Sequence, residues 1–293
     1  MAGMDLRPLS LGEILDRTFG LYRRFFLLFL GISAIPRLLV LVLSLSQLYF
    51  GFFPAALNKI PPASGLQAAP AIPSAGSIAA GVGFGLITLV VTIIAYMLTQ
   101  GATITAVSEL YLGRTVTIAD SFRRVLGELG SLFGVILLNG LATIAAFIVL
   151  IIPGFYVMCR LVVCIPAALI EGLGPIASLE RSFALTKDFA GRAFLILLLY
   201  FALIFGASAL FAWPFSIGMA LAMKNHEVIR GWLAMTQIGA YLAEVLVTPV
   251  LTIASAIFYY DLRVRKEAFD LQIMMKPLGG AVPVTGTLPT ALS

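Results

Sequence analysis

Apolar residues fall into six long runs, at 25–50, 78–107, 131–152, 155–170, 193–221 and 235–260. About twenty apolar residues are needed for a helix to cross the hydrocarbon core, and each run meets or approaches that length. The fourth is short and follows Pro153-Gly154, which predicts a hairpin of the third and fourth spans with almost no external loop. Reading 131–170 as a single re-entrant unit is the alternative, and its length favours two crossings.

Three polar-apolar stretches precede the first, third and fifth runs. They read Leu15-Asp16-Arg17-Thr18-Phe19-Gly20-Leu21-Tyr22-Arg23, Phe122-Arg123-Arg124-Val125-Leu126-Gly127-Glu128-Leu129 and Leu179-Glu180-Arg181-Ser182-Phe183-Ala184-Leu185-Thr186-Lys187. In the first, Leu11, Ile14, Leu15, Thr18, Phe19 and Tyr22 recur at i, i+3, i+4 spacing with the charges off that stripe, the pattern of an amphipathic helix. Ser10 with Glu13 and Thr117 with Asp120 have the spacing of capped helix starts, and Gly174-Pro175 places Pro at a first helical position. Such helices lie in the membrane interface or simply begin the spans that follow. The predicted fold is an all-α integral membrane protein of six transmembrane helices, built as three repeats of interfacial helix plus helical hairpin over about 8–107, 115–170 and 174–260. One domain, 1–276, is expected to contain them. The loop 51–77 reads as a flexible connection, and 277–293 as a disordered tail.

Composition agrees with the pattern. At 60% hydrophobic and 11% charged residues, with mean hydropathy +1.04, the chain carries more apolar surface than a soluble core absorbs. Its net charge of +5 comes from Lys and Arg beside the spans, so it orients a membrane protein and does not point to nucleic acid. Arg7, Arg17, Arg23, Arg24, Arg114, Arg123, Arg124, Arg181, Lys187, Arg192, Arg263, Arg265, Lys266 and Lys276 fall on one side, and only Lys59, Lys224 and Arg230 on the other. The positive-inside rule then predicts both termini in the cytoplasm. Asp5, Glu13 and Asp16 among the N-terminal arginines argue against a cleaved signal peptide.

Chemistry-bearing residues are few. Arg37, Arg160 and Glu244 interrupt apolar runs, and ionised groups at membrane depth mark functional sites by default. Helical rise puts Arg160 roughly 8 Å, Glu244 roughly 13 Å and Arg37 roughly 12–15 Å from the outer ends of their spans. All three are therefore expected to meet in one cluster, with Asn139, Thr143, Thr88 and Thr92 adding hydrogen bonds. Two readings stand: a polar cavity for an anionic head group or small solute, or a knot of charges fixing helix register. Arg17, Arg23, Arg24, Arg123, Arg124, Arg181 and Lys187 are the candidate lipid head-group contacts. Gly81 with Gly85 and Gly130 with Gly134 have small-xxx-small packing spacing. Cys159 and Cys164 are five apart and support neither a disulfide nor a metal motif. His226, the only histidine, has no metal-ligand cluster, and no nucleophile elbow is present. No catalytic residue, metal or cofactor is predicted.

Four stretches carry a family resemblance: Arg7-Pro8-Leu9-Ser10-Leu11-Gly12-Glu13-Ile14-Leu15-Asp16, Ile152-Pro153-Gly154-Phe155-Tyr156, Glu171-Gly172-Leu173-Gly174-Pro175 leading to Arg181-Ser182-Phe183, and Tyr259-Tyr260-Asp261-Leu262-Arg263-Val264-Arg265-Lys266-Glu267. Together they resemble bacterial polytopic proteins related to the membrane domain fused to some glycerophosphoryl diester phosphodiesterases. The hydrolase activity of those relatives belongs to a soluble barrel with His and acidic metal ligands, which His226 alone does not supply. The resemblance therefore implies a membrane protein linked to lipid or envelope biology, without the enzyme. The expected function is a non-enzymatic membrane component that engages phospholipid and organises membrane or membrane-protein partners. The alternative is a small-solute or lipid transporter using Arg37, Arg160 and Glu244.

Overall fold

The computed structural model describes residues 8–49, 75–221 and 226–267. Most of the connection 51–77, all of the tail 277–293 and the side chain of His226 lie outside the described residues. Among the described residues eleven helices follow one another: α1 (Leu11–Arg24), α2 (Phe26–Tyr49), α3 (Ala75–Tyr111), α4 (Ile118–Leu126), α5 (Leu129–Val149), α6 (Ile151–Arg160), α7 (Cys164–Glu171), α8 (Pro175–Thr186), α9 (Ala190–Phe211), α10 (Trp213–Leu221) and α11 (His226–Glu267). No strand occurs among the described residues. Six segments of the described residues are long and apolar enough to cross a membrane: α2, α3, α5, α6 with α7, α9 and α11. The chain is an all-α, multi-pass membrane protein.

The short helices begin where the sequence predicts. Ser10 and Glu13 form a reciprocal capping box on α1: the Glu13 N–H donates to Ser10 Oγ (3.3 Å) and the Ser10 N–H to Glu13 Oε2 (2.7 Å). Thr117 Oγ1 accepts from the Asp120 N–H (3.2 Å) on α4, and Pro175 opens α8 after Gly174. Each of these helices leads into a long one: α1 into α2, α4 into α5, α8 into α9.

The 42-residue α11 is the axis of the bundle. At 1.5 Å per residue it runs about 63 Å, twice the ~30 Å hydrocarbon thickness. Of its most apolar window 72% is buried, against 22% or less for α2, α3, α5 and α9, because α1, α2, α3, α9 and α10 all pack on it. Pro249 sits inside this helix and cannot donate to the carbonyl of Val245. Ser33 Oγ on α2 donates to that carbonyl (2.9 Å), and Tyr22 O–H donates to the next one, Leu246 (2.8 Å). Membrane helices tolerate proline when neighbours satisfy the freed backbone in this way.

Several boundaries differ from the sequence expectation. The third and fourth spans turn at Leu150, one residue in extended conformation (φ −167°, ψ 152°), and not at Pro153-Gly154. Pro153 stands in the first turn of α6, where its missing N–H is not needed. Gly154 is buried against Phe147, whose ring lies 2.4 Å from where a Cβ would stand, so the hairpin closes on a glycine. The fourth span is interrupted between α6 and α7, and the fifth ends at Phe211 with α10 beyond it. Of the glycine pairs, Gly134 receives Pro175 of α8 (2.7 Å from its virtual Cβ), whereas Gly85 and Gly130 face open space.

Candidate functional site

Arg37 follows Pro36 in α2, and Glu244 lies in α11 opposite it. Glu244 is roughly 21 Å along the helix from Arg230 and roughly 26 Å from Asp261, so it stands near the middle of the apolar length of α11. The Arg37 Nη1 group forms an ion pair with Glu244 Oε2, and Nη2 donates to Thr248 Oγ1 (3.2 Å). Glu244 and Thr248 can share this partner because positions i and i+4 stand on one helix face. The pair is asymmetric: the Arg37 side chain is 15% exposed and the Glu244 side chain 54%. The arginine is held, and the carboxylate stands at an open edge.

That edge is a cleft. Helix α9 packs along α11 but scarcely touches α2 or α3, leaving a gap floored by α11. The resulting cavity is about 550 Å³, within the 300–1,000 Å³ range of small-molecule sites. Arg37, Thr92, Tyr96, Tyr200, Gln237, Tyr241, Glu244 and Thr248 supply its polar lining, and Val40, Leu41 and Ile204 are among its apolar walls. Gln47 closes one side by donating to Thr88 Oγ1 (3.0 Å), and Tyr241 O–H donates to the Ala34 carbonyl (3.3 Å). Two buried atoms of lining residues, Arg37 Nε and Gln237 Oε1, have no hydrogen-bond partner among the described residues. Such groups cost about 1–3 kcal/mol each when left dry, so water or a ligand is expected to meet them. A second cavity of about 280 Å³ continues inward past Arg37, Tyr96, Tyr200 and Thr248 to Asn139 and to Gln100, which accepts from Thr252 Oγ1 (2.6 Å).

Arg160 does not join this site. The expected cluster of Arg37, Arg160 and Glu244 is corrected to a pair. Similar depth along a helix does not fix which neighbour a side chain faces: the span breaks after Arg160, α8 folds back against the break, and Arg160 faces α8 instead of α2 and α11. Arg160 Nε donates to Thr186 Oγ1 (3.0 Å), Nη1 to Tyr156 O–H (2.6 Å) and Nη2 to the Phe183 carbonyl. The rings of Tyr156 and Phe183 flank the guanidinium at 5.5 and 5.0 Å, within cation–π range. The Arg160 carbonyl, freed by the break, accepts from Ser182 Oγ (2.7 Å) and Thr186 Oγ1 (3.0 Å). Arg160 is a structural clamp between a broken span and α8.

Helices α1, α4 and α8 gather at one end of the bundle, with the last turns of α3 and α11, and this end is charged. Asp261, with a fully buried side chain, accepts from the Leu9 N–H (2.7 Å) and Arg265 Nε (2.9 Å) and lies 3.6 Å from Arg192. Glu171 takes both prongs of Arg181 (2.9 Å) and the Tyr259 hydroxyl (2.5 Å). Arg181 also pairs with Glu267. Burial alone pulls the Arg181 pKa down, but the hydrogen bonds and charges of Glu171 and Glu267 outweigh it and raise the value above that of an ordinary guanidinium. The seven candidate head-group contacts thus divide. Arg181 and Arg124 are committed to Glu171 and Glu109, and Arg17 donates to Tyr111 O–H (3.3 Å). Arg23, Arg24, Arg123 and Lys187 are exposed and make no ion pair with a described residue.

Sequence reasoning missed Tyr96, Tyr200, Tyr241 and Gln237, which in an apolar run look like ordinary packing residues. It also missed Glu171 as a hub. Cys159 and Cys164 are free and buried, and no group of His, Cys, Asp and Glu suited to a metal occurs among the described residues. Compared with protein-family models, curated proteins and solved structures, the chain matches none.

Proposed function

We propose that the protein is a non-enzymatic membrane component that binds a charged head group or small solute in the cleft between α9 and α2/α3, and passes it across or along the bilayer. The observation that carries this reading is the cavity lined by the Arg37–Glu244 pair, near the middle of the apolar length of α11, with two buried polar atoms unpartnered among the described residues. Ion pairs at membrane depth are costly, and a chain that only needed a scaffold would close such a site with apolar side chains. The volume suits a head group while acyl chains stay in the lipid, and the open edge toward Glu244 supplies the route in.

The test is head-group translocation in proteoliposomes. Phosphatidylethanolamine labelled on a short acyl chain and placed in the inner leaflet is expected to become accessible to dithionite faster with the protein than without it. Ala240 of α11 lines the cleft, and Ala240→Trp, which fills it, is expected to abolish the gain. A rate equal to protein-free vesicles, or one indifferent to Ala240→Trp, contradicts the reading.

We further propose both termini cytoplasmic, on the positive-inside argument, and, on the resemblance of the four sequence stretches, kinship with the membrane domain of glycerophosphoryl diester phosphodiesterases and residence in a bacterial inner membrane. A second reading, that the short helices dock on anionic lipid and organise the membrane or its proteins, is supported by the exposed Arg23, Arg24, Arg123 and Lys187. The two readings are compatible, because these residues lie outside the cleft.

A further inference from the structure

We propose that the ligand of the cleft is a zwitterion, with its anionic phosphate or carboxylate bound at Arg37 and its ammonium at Glu244. This rests on the reading that the cleft holds a ligand, and it names which kind. The first reason is charge balance. Arg37 is already neutralised by Glu244, so a bare anion taking Arg37 would strand a carboxylate at membrane depth. A bare cation taking Glu244 would strand the guanidinium in the same way. A ligand carrying both charges opens the pair and compensates both halves.

The second reason is the hydrogen-bonding inventory. Arg37 Nε is a donor without an acceptor, and Gln237 Oε1 an acceptor without a donor. A molecule offering both an anionic oxygen and an ammonium N–H satisfies the two together. The third reason is the surround: Tyr96, Tyr200 and Tyr241 line the same cavity, and tyrosine faces and hydroxyls suit an ammonium group. Glu244, half exposed at the edge, is the partner free to move, while Arg37 stays held.

This chemistry comes either from a phospholipid such as one with an ethanolamine head group, or from a free zwitterion. The experiment titrates the full-length protein in detergent with three probes: dihexanoyl phosphatidylethanolamine, dihexanoyl phosphatidylglycerol and free glycerophosphoethanolamine, a soluble diester that keeps the net-neutral head group. The zwitterionic lipid is expected to bind about tenfold or more tightly than the anionic one. Glu244→Gln, checked for folding by its melting transition, is expected to erase that preference. Ala240→Trp is expected to abolish binding of every probe. Free glycerophosphoethanolamine binding as well as the lipid would identify a soluble zwitterion as the source and support the proposal. Equal or tighter binding of the glycerol lipid, or a preference that survives Glu244→Gln, overturns the zwitterion while leaving a ligand-holding cleft. No binding of any probe, or binding indifferent to Ala240→Trp, overturns both.

Discussion

The backbone N–H of Leu9 donates to the carboxylate of Asp261, 252 residues away in sequence and 2.7 Å away in space. The same aspartate holds Arg265 and approaches Arg192, and both arginines also donate to the Leu9 carbonyl. One buried acid therefore ties the start of α1 to the end of α11 and to the start of α9. Asp261→Ala is expected to cost about 3–5 kcal/mol, the penalty for leaving buried partners uncompensated. Thermal melting in detergent reads this directly, and a melting point equal to wild type counts against the clamp.

Ser33 and Pro249 make a coupled pair through the Val245 carbonyl. Ser33→Ala should destabilise by about 1–3 kcal/mol, because that carbonyl then has no donor. In a Pro249→Ala background the alanine N–H supplies the missing bond, so the same substitution should cost almost nothing. The double-mutant cycle measures this difference, and strict additivity refutes the coupling.

Arg160→Ala is expected to lower stability by at least ~3 kcal/mol, since three charge-assisted donors and the joint between α6, α7 and α8 go with it. Arg160→Lys should not rescue it, because an ammonium cannot reach Tyr156, Phe183 and Thr186 at once. Full stability in the lysine variant contradicts the clamp.

Burial raises the Tyr22 pKa from 10.0 to about 12. A phenol whose folded pKa lies above its unfolded value contributes stability that is fully present below pH 10. That contribution is lost as pH rises through about 12. Tyr22→Phe should therefore show a shallower loss of stability than wild type between pH 10 and about 12. Parallel curves for the two proteins would contradict it.

Six spans, three short helices and an all-α class were readable because each rests on local pattern: apolar run length, i, i+3, i+4 spacing, a hydroxyl three residues before an acid on α1 and α4, and a Gly-Pro start on α8. Pairing of Arg37 with Glu244 was readable for a related reason, since two opposite charges at similar depth in hydrocarbon have few other partners. Arg160 was misplaced because helical rise gives a depth and not a facing: its guanidinium turns to α8, which folds back on a break at 161–163 that has no glycine to announce it. The tyrosines and Gln237 were illegible because their role depends on α9 standing away from α2 and α3. That is a tertiary gap, and no periodicity within one helix encodes it.

The central claim is that the cleft receives a ligand at Arg37 and Glu244, and a structure in phosphatidylethanolamine nanodiscs with a bound antibody fragment tests it most directly. The account predicts head-group density between α9 and α2/α3, within hydrogen-bonding reach of Arg37 Nε, with the Glu244 carboxylate turned onto the ammonium. A cleft closed by α9 packing on α2 and α3, with Arg37 and Glu244 still paired and no density beside them, would contradict it.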